Sequence, residues 1–137
     1  MLESPQSAIG LLDTSVVVDL RSLDTTALPA VHAISAITLA ELAAGPPVAP
    51  NTTERAARQQ FLQHVEATFH PIAFDVDAAR AYGRVAATVA AAGRKPRGSR
   101  AVDLLIAATA MAHGLPLYTR NPDDFVGLEH LIEIVAV

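Results

Sequence analysis

The sequence predicts an α/β domain: a central, mostly parallel twisted sheet of four to five short strands, flanked by helices on both faces. Three features point there. Short apolar runs ("AIGLL", "HAI", "HPIAF", "LPLYT", "IEIVAV") alternate with longer stretches of helical character. Several of these runs lead into a residue able to cap a helix. No internal repeat or linker divides the chain, so one domain over residues 1–137 is expected, with residues 1–8 as an N-terminal extension.

In order, "AIGLL" reads as a strand, and Asp13 after it opens a turn that can start a helix. A second strand near His32 to Ile34 is followed by Ser35 as a helix cap and by a helix stopped at Gly45. "GPPVAP" breaks the chain. Asn51 and Glu54 then stand at capping-box spacing, ahead of Phe61, Leu62, Val65 and Phe69 at helical intervals. "HPIAF" reads as a brief strand, and Asp75 caps "VDAARAYGRVAATVAAAG". A basic loop over 93–100 leads to a helix beginning near Ala101, which places Asp103 in its first turn. "LPLYT" and "IEIVAV" are late strands joined through "RNPDDFVGLEH".

At 137 residues, 51% of them apolar, the chain is long enough to enclose a core and has no disordered composition. It lacks the uninterrupted apolar run of about 18 residues that a membrane helix needs. "MLESPQSAIG" lacks the basic and apolar regions of a secretory signal. With no cysteine, disulfides, thiolate nucleophiles and cysteine–zinc sites are excluded, and a cytoplasmic location is expected. The net charge of −4 argues against a nucleic-acid partner. However, four of the ten basic residues (Arg94, Lys95, Arg97 and Arg100) fall in "GRKPRGSR", and a cation bound among acids reverses the local sign.

The acids are placed suggestively. Asp13 follows the first strand, Glu41 lies in the helix after the second, Asp103 opens a late helix, and Asp123 and Asp124 follow "LPLYT". In an open α/β sheet the carboxyl ends of the strands share one crevice. Two unit charges about 5 Å apart repel by about 3 kcal/mol at an effective dielectric of about 20. Hard divalent cations such as Mg²⁺ relieve such crowding, and they serve phosphodiester hydrolysis. Taken singly, Asp103 also suits a helix-dipole partner and Asp124 an ordinary loop acid. Asp13 and Glu41, set among apolar neighbours, are harder to explain that way.

Four ordered pieces, "LLDTSVVVDL", "ISAITLAELAAG", "DLLIAATAMAHGLPLYTRN" and "DDF", resemble a PIN-domain ribonuclease, the VapC-type toxin of a VapBC toxin–antitoxin pair. The resemblance implies a single PIN-like domain and an endoribonuclease dependent on Mg²⁺ or Mn²⁺. It implies Asp13, Glu41 and Asp103 as catalytic and metal-ligating acids, with Asp124 as the fourth and Asp123 as the alternative to it. Thr14 and Ser15 match a hydroxyl pair expected to hold a metal-bound water or Asp13 itself. Asn121 matches a residue that helps order the site, whereas Thr119 reads as a local capping group. The expected products carry a 5′-phosphate and a 3′-hydroxyl. The implied partners are RNA, a VapB-type antitoxin that blocks the acidic pocket, and a second copy in a homodimer. The proline-rich "PPVAP" departs from the family pattern beside the expected substrate face.

Arg94, Lys95, Arg97 and Arg100 are candidates for tracking an RNA backbone, and Arg120 for touching phosphate or balancing the acids. The five histidines show no metal-binding spacing. Apolar faces on helices 36–44 and 51–68 need cover, from the chain's own core or from a partner. The rival readings are a PIN-fold nuclease acting on DNA and an inactive PIN-like module binding RNA or protein. A phosphoacceptor receiver fits less well, because it wants adjacent N-terminal acids and a lysine after a late strand, whereas Lys95 is the only lysine.

Overall fold

A computed structural model describes residues 8–95 and 98–137. Among them run β1 (Ile9–Leu12), α1 (Thr14–Asp19), β2 (Val31–Ala33), α2 (Ala36–Ala43), α3 (Thr52–Thr68), α4 (Val76–Ala91), α5 (Ser99–His113), β3 (Leu117–Thr119) and β4 (Ile134–Ala136). The strands form one sheet in the order β2-β1-β3-β4, and every neighbouring pair is parallel. Parallel pairing requires crossovers, which the intervening helices and loops supply.

Both faces of the sheet are covered, and consecutive strand residues show it. Leu11 and Leu117 are buried with α4 and α5 residues such as Val85, Leu104 and Ile106. Their neighbours Leu12 and Tyr118 point the other way, among Val16, Val17, Ile34 and Val65 from the α1 and α3 side. The two central strands, β1 and β3, are thus buried on both sides, as parallel sheets demand, while the edge strands β2 and β4 are only partly covered.

The expected caps form. Ser35, Asn51 and Asp75 each accept a backbone N–H three residues on, at 3.1, 2.8 and 2.9 Å. The capping box at Asn51 is only half made, because the Glu54 carboxylate turns to Arg58 (3.1 Å). Arg58 in turn donates to the Gly45 carbonyl (3.0 Å), pinning the proline-rich turn Pro46–Val48 against α3.

Two expectations need correction. "HPIAF" is not a strand: Ile72 makes a single parallel bridge to Ser35, and Pro71 before it has no N–H to extend a ladder. The last long helix begins at Ser99, not near Ala101, after Gly98 with φ +61°. Asp103 therefore sits in the second turn, and a role as a first-turn dipole partner falls away. Arg97 lies outside the described residues.

Candidate active site

The strand order reverses between β1 and β3, since the chain leaves β1 for β2 on one side and reaches β3 on the other. Their carboxyl ends bound the crevice where open α/β sheets usually bind ligands. Asp13 is the first residue beyond β1 and is only 4% exposed. Its Oδ1 accepts from the Ser15 hydroxyl (2.5 Å) and from the Val16 N–H (3.2 Å), which makes it the N-cap of α1. Burial raises its pKa, and hydrogen bonds from Ser15, Thr119 and the α1 backbone pull it back.

Ser15 also accepts the Arg120 N–H (3.1 Å), so it fastens Asp13 to the segment leaving β3. Thr119, fully buried at the end of β3, accepts the Asn121 N–H (2.9 Å). The Asn121 carbonyl accepts the Asp124 N–H (3.0 Å), which winds Pro122–Phe125 into a 3₁₀ turn anchored by buried Phe125. Asn121 thus shapes this segment through its main chain.

From the opposite wall, Glu41 on α2 is exposed, and its Oε1 accepts from the Thr14 hydroxyl at 2.5 Å. The expected hydroxyl pair therefore divides. Ser15 serves Asp13, but Thr14 is committed to Glu41, because its single proton can go to only one acceptor.

Half-buried Asp103 on α5 reports the convergence of all four acids. Its pKa is pushed up to about 6, first by burial and then by the negative charges of Asp124, Glu41 and Asp13. Asp123 is absent from those influences. It is exposed, and it contributes its backbone carbonyl to Arg94 at 3.3 Å. Among the described residues, Arg100, one turn before Asp103, pulls the other way. Arg120 is instead paired with Asp19 at 2.6 Å, which corrects its expected role in balancing the acids. Among the described residues no three acidic or histidine side chains ring one point closely enough to hold an ion as they lie.

Sequence reasoning undervalued two hydroxyls. Thr119 looks in the sequence like a cap alone, and Thr38, fully buried one helical turn before Glu41, stands out only as a polar residue on the apolar helix "AITLAELA", the signal that also marks Glu41.

A model of the PIN domain matches residues 10–130. The chain belongs to the PIN-domain family. This PIN domain is 38% identical to "Ribonuclease VapC5" of Mycobacterium tuberculosis over 98% of its own length and 99% of that protein. Among solved structures it resembles a member of the VapBC family of toxin–antitoxin systems, VapBC-5, from the same organism. That match has a TM-score of 0.83 and 39% identity, covering 95% of this chain and 99% of the other. A FitAcB structure from Neisseria gonorrhoeae matches with a TM-score of 0.68 and 27% identity, over 92% of this chain and 95% of that one. The PIN domain is thus a VapC ribonuclease homologue along nearly its whole length. No helix among its described residues is long and apolar enough to cross a membrane.

Proposed function

We propose that this PIN domain is a divalent-metal-dependent endoribonuclease, the toxin half of a type II toxin–antitoxin pair. The observation that carries the reading is Asp103, whose carboxyl is held near 6 by burial and by three acidic neighbours from separate parts of the chain. With carboxylates and no histidine as donors, the set suits a hard cation, Mg²⁺ or Mn²⁺. Mg²⁺ keeps several of its waters and takes only one or two carboxylates directly, so the set need not close round a point to fit it. Asp13, Glu41, Asp103 and Asp124 would hold the ion. When bound, it lowers the pKa of water and offsets charge on phosphate oxygens.

The chain's own groups do the rest. Ser15, with Thr119, fixes the Asp13 carboxylate, and Thr14 holds Glu41. Asn121 sets the turn that presents Asp124. Arg100 offsets the charge at Asp103 and is the first candidate for an RNA phosphate, followed by Arg94 and Lys95.

The partner reading also has a surface. Two adjoining hollows of about 350 and 380 Å³ lie between α1 and α3 and between α1, α2 and α3. Val18 and Phe61 line both, Leu20 and Phe69 extend the first, and Glu41 stands in the wall of the second. Val18 of α1 is 50% exposed, and Phe61 and Phe69 beside it are only partly buried against the core, so an apolar groove stays open between these helices. An antitoxin segment seated there would lie against Glu41. The homodimer enters this reading from the family resemblance.

The test is RNA cleavage by purified, EDTA-stripped protein. No cleavage is expected until Mg²⁺ or Mn²⁺ is added, and the products should then carry 5′-phosphates. Undiminished cleavage in EDTA would overturn the reading.

A further inference from the structure

Behind Glu41 runs a file of hydroxyls that the acidic site does not itself account for. The Thr14 Oγ1 lies 2.5 Å from Glu41 Oε1 and 3.0 Å from Thr38 Oγ1, and Thr38 Oγ1 lies 3.5 Å from Ser35 Oγ. Thr38 and Ser35 are fully buried. An ionised carboxylate only accepts, and each hydroxyl carries one proton. Thr14 must therefore donate to Glu41, so its contact with Thr38 is satisfied only if Thr38 donates to it. Thr38 then has no proton left for Ser35, which already accepts the Thr38 N–H (3.1 Å) and must donate back along the file. The polarity of the whole chain is fixed: Ser35 to Thr38 to Thr14 to Glu41.

We propose that Thr38 is a positioning residue for Glu41: its buried hydroxyl orients the Thr14 hydroxyl, which holds the Glu41 carboxylate toward the acidic crevice. Glu41 is exposed on α2, and a free glutamate there would sample several rotamers, at an entropic cost each time it was ordered. The file removes that freedom beforehand. This inference rests on the reading of Glu41 as part of a divalent-cation site.

The test is Mn²⁺ binding to RNA-free protein, followed by the electron paramagnetic resonance of the unbound ion, so that catalysis is not the readout. Thr38→Val should weaken Mn²⁺ binding about tenfold, the scale of losing a group that orients a ligand, and Thr38→Ser should restore it to within about twofold. In a Glu41→Gln background, Thr38→Val should cause no further loss, since Thr38 acts only through that carboxylate. If Glu41→Gln loses Mn²⁺ and Thr38→Val binds like wild type, the positioning role is wrong and the acidic site stands. If Glu41→Gln itself binds like wild type, Glu41 is not part of the site and both readings fail. Equal loss in Thr38→Val and Thr38→Ser would make packing, not the hydroxyl, responsible. Should Thr38→Val not fold, Thr14→Val breaks the next link at a half-buried position and must weaken Mn²⁺ binding at least as much. Unchanged binding in that variant overturns the proposal.

Discussion

Asp103→Asn is expected to slow RNA cleavage by at least about 100-fold, the scale of removing one preorganised charge-stabilising group. In EDTA above pH 6, the same variant should melt at a higher temperature than wild type. The two effects share one cause. The Asp103 carboxyl is raised from 3.8 to about 6 by burial and by Asp124, Glu41 and Asp13, so the metal-free fold prefers it protonated. Between about pH 4 and 6 this carboxyl therefore binds more proton in the folded than in the unfolded chain, and its contribution to stability falls as pH rises. Asparagine is close in shape and has no charge to repel its neighbours, so that part of the decline disappears while the ability to hold a cation is weakened. Measurement is by single-turnover cleavage with Mg²⁺ and by thermal melts from pH 4 to 8 in EDTA. Wild-type cleavage by the variant, or parallel melting curves for the two proteins, would contradict the account.

Val18→Asp is expected to weaken binding of the cognate antitoxin by about 100-fold, since an unpaired charge left in an apolar interface costs about 2–5 kcal/mol. Val18 is half exposed and lines both hollows beside α3, so the new carboxylate stays in water in the free protein and is buried only when the groove fills. The check is RNA cleavage with and without antitoxin, each rate expressed as a fraction of the same protein's antitoxin-free rate. Wild type should be silenced near stoichiometric antitoxin, and the variant should need a large excess. Equal inhibition of the two would move the antitoxin off this groove.

Much of the architecture was legible because parallel strands buried on both faces leave uninterrupted apolar runs, and because Ser35, Asn51 and Asp75 advertise helix starts. The boundary at Ser99 was not, since Gly98 begins that helix by its backbone conformation and offers no side-chain cap. "HPIAF" has strand composition, yet it meets β2 only beyond that strand's end, a tertiary fact that local pattern does not carry. The four acids stand out in the sequence as candidates for one set because of their places near strand ends, and Asp103 feels the charge of the other three. Their supports were harder to see. Which of Thr14 and Ser15 serves which acid depends on the pitch of α1 against α2, and Arg120 is drawn away by Asp19, 101 positions earlier in the chain.

The central claim is that acids from distant parts of the chain tolerate one another because a divalent cation sits among them. Anomalous diffraction from crystals soaked in Mn²⁺ tests it most directly. The account predicts a Mn²⁺ peak in the crevice beyond β1 and β3, held by Asp13 and Asp103 directly or through water, and lost in Asp103→Asn. No peak there at saturating Mn²⁺, with these carboxylates left facing one another, would contradict it.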